Sequence, residues 1–293
     1  MQPPEIYPGI LERFAAISVN ALQRFGLSRI AYSSALRRLG KRLLLRAEVK
    51  GQSARMIASG LGKGMLLCVL PETPKSYWLG THEPHMQTAL KRNIKPGMVV
   101  YDCGANIGYF SVMLAHLVTP KGRIYAFEPS PQSLECLRQV SRMNELDNLT
   151  IVAQAVWQRS ETVRFACAAP NTSLVSDHIE GVFGETAAPT IFLNVKTISL
   201  DEFVFDAGNL KPDFIKIDVE GAEGKALLGA RRLLSEHRPH LLIEIHGEPG
   251  REVWDILREL EYKITNIATG ITPKTADDFA IWITQYLAVP LDT

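Results

Sequence analysis

The chain is predicted to fold as an α/β domain, a mostly parallel sheet with helices on both faces, preceded by a helical N-terminal extension. Three features of its 293 residues carry that expectation. From Val99 onward, short apolar runs alternate with amphipathic stretches long enough for helices, the pattern of repeated strand–helix–strand units. Runs such as IYAF (124–127) and HLLIEI (240–245) are apolar at nearly every position, as strands buried on both faces must be. Near the C-terminus, YKITNI (262–267) and FAIWIT (279–284) follow one another without an intervening helical pattern, which closes the sheet with a strand pair.

Taken in order, residues 10–50 place Ile10, Leu11, Phe14, Ile17, Leu22, Phe25, Leu36, Leu39 and Leu43 at helical spacing, with arginines and lysines between them. Gly26 and Gly40 break this stretch into two or three short amphipathic helices. They form a basic extension over residues 1–64, and the main domain occupies 65–293. MLLCVL (65–70) is a strand, and a proline-flanked loop carrying Tyr77 and Trp78 follows it. Those two aromatics either pack the loop down or close over a ligand. MVVYDCGA (98–105) is the first strand of the regular pattern, followed by a helix over 107–118. RIYAFEP (123–129) is the second, and its helix over 130–145 opens with Ser130 and Pro131 in cap positions. LTIVAQAV (149–156) is the third. Residues 157–211 are irregular, with two strands, ETVRFAC and IFLNVKTI, around a polar loop. Then come strand 212–221, helix 222–237, strand 239–246, helix 251–261 and the closing strands.

Composition narrows the class. A chain of this length with 46% hydrophobic residues buries a full core. The net charge of +1 provides no global field to steer the protein to nucleic acid. The first fifty residues are locally basic, with nine Lys and Arg against three acids. Such a face packs on the domain or on a second copy, lies against a membrane surface, or forms a lid over the site. Cys68, Cys103, Cys136 and Cys167 form no close pair, which fits a reducing, cytoplasmic setting. No apolar run approaches the roughly 20 residues of a membrane span.

The first strand ends in YDCGANIG (101–108). In an open parallel sheet, ligands bind outside the carboxyl ends of the strands, where the strand order reverses. Gly104 and Gly108 let the backbone approach a ligand there, and Asn106 sits between them. Asp102 fits a pyrophosphate badly, because two anions would face each other. It fits a ligand end carrying a cationic amine. Glu128, at the tip of the second strand and 20 residues beyond Gly108, is placed to accept two ribose hydroxyls. A ligand with an amino-acid end and a ribose matches S-adenosylmethionine. Ala155 and Val156 stand at the end of the third strand, where contacts to an adenine usually lie.

These stretches resemble the FkbM-type methyltransferases, a branch of the class I S-adenosylmethionine-dependent enzymes, which implies a Rossmann-like, mostly parallel seven-stranded sheet. The resemblance rests on YWLGTHEP (77–84), KPGMVVYDCGANIGYFS (95–111), GRIYAFEPSPQSLECLR (122–138), TISLDEFV (197–204), FIKIDVEGAEGKALLGARRLL (214–234) and RPHLLIEIHGE (238–248). It implies O-methylation of hydroxyl groups on sugars or natural products, with S-adenosylmethionine as donor and S-adenosylhomocysteine as product. Carried onto this sequence, Asp102, Gly104, Asn106 and Gly108, with Tyr109 beside them, would hold the methionine end. Glu128 and Pro129 would take the ribose. Residues 1–50 lie outside the resemblance.

Methyl transfer needs an in-line geometry and a group to take the proton from a hydroxyl nucleophile. Lys216, Asp218 and Glu220 alternate along IKIDVEG, and Glu244 and His246 along IEIH, so each set shares one side of its strand. His246, Asp218 and Glu220 are the candidate catalytic residues, with a neutral histidine near pH 7 as the reference base. Each has a structural alternative. Asp218 caps the turn or binds the amino group of the cofactor, His246 packs as a hydrogen-bonded core residue, and Glu220 caps the next helix. Convergence of Asp218, Glu220, Glu244 and His246 on a divalent metal is left open. Asn171, Thr172, Ser173 and His178, in the irregular stretch, are placed to select the acceptor.

Two other functions compete. One is an S-adenosylmethionine-binding protein without turnover, and the intact acids and histidine speak against it. The other is an NAD-linked oxidoreductase, which calls for glycine at positions 102 and 106, where this chain has Asp and Asn. The partners expected are a small-molecule or saccharide hydroxyl acceptor, no nucleic acid, peripheral membrane contact through the basic extension, and a second copy in a homodimer.

Overall fold

The computed structural model describes residues 52–169, 172–175, 191–246, 250–279 and 283–291. The amphipathic stretch 10–50, with the membrane and dimer expectations attached to it, lies outside these residues, as do Asn171 and His178. The chain divides into two compact units between His82 and Glu83. In the first, β1 (Ser53–Met56) and β2 (Leu66–Val69) pair antiparallel, Ser53 opposite Val69. Position 64 falls in the turn joining them. A short helix, α1 (Ser76–Leu79), follows and buries Trp78, while Tyr77 stacks on His82 at 4.1 Å.

The second unit starts with α2 (Pro84–Asn93), then β3 (Val99–Cys103), α3 (Tyr109–Val118), β4 (Arg123–Phe127), α4 (Pro131–Met143) and β5 (Leu149–Val152). A small sheet comprises β6 (Ala155–Val156), β7 (Thr162–Ala169), β8 (Thr172–Val175) and β9 (Ile191–Ile198). After a π-helical turn at Glu202–Asp206, the chain continues through β10 (Phe214–Ile217), α5 (Glu223–Leu228) and α6 (Arg231–Glu236). It ends with β11 (His240–Ile245), α7 (Gly250–Glu259), β12 (Tyr262–Asn266), α8 (Ala276–Phe279) and β13 (Thr284–Pro290). The main sheet has seven strands in the order β12-β13-β11-β10-β3-β4-β5. All pairings among β11, β10, β3, β4 and β5 are parallel, and β13 runs antiparallel to both its neighbours.

Alternation along the strands separates the two faces. Tyr101, Cys103, Tyr125, Phe127, Ile215, Ile217, Leu241 and Ile243 enter one core with Leu227, Leu233, Leu234, Val253 and Leu257 of α5, α6 and α7. Ala126 faces the other way and packs on Leu137 of α4. Strand order reverses between β3 and β10, so the crevice expected for a ligand lies at the tips of β3, β4, β10 and β11.

Three sequence expectations are corrected. The strand 149–156 ends at Val152. Gln154 turns there, its amide donating to Val152 O and its side chain to Thr197 O, and β6 then joins β9 in the small sheet. The helix 222–237 is two helices. Gly229 lies so close to the Trp157 carbonyl that no side chain fits, and Asp201 accepts the amides of Arg232 and Leu233, restarting the helix as α6. The last strand is 284–290 rather than 279–284: Phe279 ends a short helix and stacks on Tyr286 of β13.

Candidate active site

Parallel pairing of β3 and β10 puts Lys216 beside Asp102. Both point to the face opposite the aromatic core, and both are sealed from solvent at 1% and 0% exposure. The Lys216 ammonium lies 3.4 Å from Asp102 Oδ1 and donates to Gly104 O at 3.1 Å and Asp218 Oδ2 at 3.2 Å. Burial alone would lower its pKa, but Asp218 and Asp102 reverse that and raise it above the usual lysine range. The other Asp102 oxygen accepts from Ser111 at 2.6 Å. Asp102 is therefore a buried anchor beneath the turn, and it offers no exposed atom to a ligand.

The turn from β3 to α3 uses backbone that only small or flexible residues tolerate. Gly104 and Gly108 have φ of 80° and 90°, and Asn106 between them has 48°. A Cβ on Gly104 would collide with the Asp218 carbonyl, so this glycine is what lets β3 and β10 meet at their tips. Glu128 ends β4 and accepts from the Asn106 amide at 2.8 Å and the Ser130 amide at 2.7 Å. Burial pushes its pKa up to about 7, against those two hydrogen bonds. Pro129, half-buried, leads into Ser130 and α4.

A second cluster forms at the tips of β10 and β11. Glu223 is fully buried, accepts from the Gly221 amide at 3.0 Å, and has Oε1 3.0 Å from His246 Nδ1. On the other side of the ring, Nε2 stands 3.4 Å from Glu220, 3.6 Å from Glu244 and 3.9 Å from Asp218. Glu244 Oε2 accepts from Gln285 at 2.8 Å, and Gln285 also donates to Glu83. Burial and the Asp218 charge raise Glu220 to about 7 and Glu244 to about 8. Burial acts to lower His246, yet Glu223, Asp218 and Glu220 raise it to about 10. Without a bound cation the ring holds its proton near neutral pH, the reverse of the neutral form expected from sequence alone.

The structure thus brings Asp102, Gly104, Asn106 and Glu128 to one turn, and Asp218, Glu220, Glu244 and His246 to an adjoining nest, with Lys216 bridging them. The other sequence candidates are buried or paired in the sheets. Tyr109 is buried, its hydroxyl accepting from Gln87 at 3.0 Å. Val156 belongs to the main core, and Ala155 packs with Trp157, Phe165, Val195 and Ala222. Thr172 and Ser173 sit on β8, paired with β7. Sequence reasoning gave no role to Ser111, Glu223 or Gln285. Glu223 had a signal in the phrase DVEGAE. Gln285 had none, since only the β11–β13 register places it opposite Glu244. Among the described residues, no helix is long and apolar enough to cross a membrane.

Comparison with known proteins bears on the same span. Hexuronic acid methyltransferase AglP of Haloferax volcanii is 30% identical over 188 residues, covering 62% of this chain and 69% of that protein. 31-O-demethyl-FK506 methyltransferase FkbM of Streptomyces tacrolimicus is 26% identical over 191 residues, 56% and 72% of the two chains. A crystal structure of a methyltransferase FkbM from Methylobacillus flagellatus aligns at 24% identity with a TM-score of 0.44, over 66% of this chain and 43% of that one. The family described as Methyltransferase FkbM domain matches residues 102–264. That stretch opens on Asp102, takes in both ends of the Lys216 bridge and closes within β12, so this chain belongs to the FkbM methyltransferase family.

Proposed function

We propose that this chain is an O-methyltransferase that moves the methyl group of S-adenosylmethionine to a hydroxyl of a saccharide or natural-product acceptor. The observation that carries the reading is the Lys216 bridge, which ties a glycine turn suited to the cofactor to an acidic nest suited to a hydroxyl. The names of the two curated relatives, a hexuronic acid methyltransferase and an FK506 methyltransferase, support oxygen-rich acceptors.

In this reading the Gly104–Gly108 backbone receives the methionine end and Glu128 accepts the ribose hydroxyls. Asp102 acts from below by fixing Lys216 and Ser111. Asp218, 21% exposed at the side chain, stands beside the glycine turn at the tip of β10, its amide donating to Cys103 O. The acceptor hydroxyl enters at the tips of β10 and β11. As the S–CH3 bond breaks and the O–CH3 bond forms, the hydroxyl proton passes to Glu220. Glu220 is the most open carboxylate of the nest, at 37% side-chain exposure, and its pKa is raised to about 7 by burial and the Asp218 charge. Catalysis then rests mainly on positioning of the two reactants.

Calorimetric titration with S-adenosylhomocysteine and with NAD tests the cofactor. Binding of the first alone, weakened in Glu128→Gln, supports the reading. Binding of NAD, or of neither, ends it. Incubation with methyl-deuterated S-adenosylmethionine and a panel of hydroxylated saccharides, read by mass spectrometry, then identifies the acceptor. Binding of S-adenosylmethionine with no transfer to any member of a broad panel would favour a binding protein without turnover.

A further inference from the structure

We propose that Asp218, Glu244 and His246 form a binding site for a divalent metal cation at the tips of β10 and β11. One donor atom from each residue lies within 4.8 Å of the other two. His246 Nε2 is 3.9 Å from Asp218 Oδ1 and 3.6 Å from Glu244 Oε1. Donors about 2.1 Å from one ion stand roughly 3 to 3.5 Å apart, so a modest contraction closes the set.

Two further observations separate this arrangement from an ordinary group of acids. The His246 side chain is nine-tenths buried, and its Nε2 is aimed between carboxylates converging from two strand tips, 3.4 Å from Glu220, 3.6 Å from Glu244 and 3.9 Å from Asp218. Moreover, the second polar atom of each ligand is held by a different residue outside the set. Lys216 holds Asp218 Oδ2, Gln285 holds Glu244 Oε2, and Glu223 holds His246 Nδ1. These contacts fix the three remaining atoms toward one point. A buried carboxylate on Nδ1 is the usual way a metal-binding imidazole is oriented and made more basic.

Two carboxylates and one imidazole suit ions such as Mn2+ or Zn2+, with positions left open for oxygen atoms. An ion here reconciles an acidic nest with an oxygen-rich acceptor, including one that carries its own carboxylate. That role rests on the proposed reaction, but the ion site does not.

The test uses the full chain, stripped with EDTA and titrated with Mn2+ alone, the free ion being followed by electron paramagnetic resonance. One Mn2+ per chain is expected, with a Kd below about 100 µM. His246→Ala and the near-isosteric Glu244→Gln should each weaken it by at least about tenfold, while Glu236→Gln, a surface acid on α6, leaves it unchanged. S-adenosylhomocysteine is titrated in parallel. No Mn2+ binding up to about 1 mM, a range that covers weak protein sites, or equal binding in Glu244→Gln, would overturn the site and leave a charge network. Homocysteine-product binding without Mn2+ binding overturns only this inference. Mn2+ binding without product binding overturns only the proposed reaction.

Discussion

The Lys216 ammonium and Asp102 Oδ1 stand 3.4 Å apart, neither open to solvent, on neighbouring parallel strands. Among the described residues Oδ1 has no hydrogen-bond partner, and the Lys216 cation is what compensates it. Removing one member of a buried pair strands the other charge, at about 3 to 5 kcal/mol. Lys216→Met, which strands Asp102, should cost about that much in urea denaturation, and Asp102→Asn should cost less because Lys216 keeps Asp218. The double variant should cost less than the sum of the two, with a coupling of about 1 to 3 kcal/mol. Strict additivity would show that the two charges act independently.

Glu128 makes the crevice sensitive to pH. Its pKa is raised from 4.5 to about 7 in the folded chain. The sign follows directly: the linked stability is full below about 4.5 and is lost as pH rises through about 7. Relative to Glu128→Gln, the wild type should therefore lose stability across that window, by at most about 3 kcal/mol. In the proposed cofactor site the ribose hydroxyls would donate to the charged form, so affinity for S-adenosylhomocysteine should move the opposite way. It should fall about tenfold for each pH unit below 7 and stay flat, though weaker, in Glu128→Gln. Calorimetry between pH 5 and 8 reads both behaviours, and a pH-independent wild type would remove Glu128 from the ribose.

How much of this was legible follows from how local each signal is. The parallel sheet and the glycine turn could be read because strand–helix alternation and a left-handed turn leave marks within a few residues. The tips of β10 and β11 could be read for the same reason, and they supplied Asp218, Glu220, Glu244 and His246. What could not be read depends on contacts distant in sequence. Gln154 ends a strand by bonding to Thr197, and Gly229 splits a helix because the Trp157 carbonyl lies against it. Asp102 carries the motif, but only the β3–β10 register shows that Lys216 covers it. The protonation of His246 depends on four carboxylates that converge from two strand ends and one helix.

Asp201 offers a change that should affect stability and leave binding untouched. Its two oxygens accept the Arg232 and Leu233 amides at 3.0 and 2.8 Å, restarting the helix after Gly229. Loss of such a cap costs about 1 to 2 kcal/mol. Asp201→Ala should lower the urea midpoint accordingly, with unchanged affinity for S-adenosylhomocysteine. A loss of affinity would tie α6 to the crevice.

Gly104 and Gly108 share the same left-handed backbone but not the same surroundings, and substitution separates the two effects. Any Cβ at these φ values costs about 1 to 2 kcal/mol. At Gly108 the added methyl meets Leu137 Cδ1 at 2.8 Å, the far end of a side chain that can turn aside. At Gly104 it meets the backbone carbonyl of Asp218, which is locked by the β10 pairing and cannot move without parting the strand tips. Gly108→Ala should therefore cost about 1 to 2 kcal/mol, and Gly104→Ala about 3 to 5 with overpacking added. Gly104→Ala should also weaken S-adenosylhomocysteine binding, because parting β3 from β10 breaks the Lys216 contacts to Gly104 O and Asp218. Equal costs at the two positions would mean that backbone strain alone selects both glycines, and that close approach of the strand tips is not what Gly104 provides.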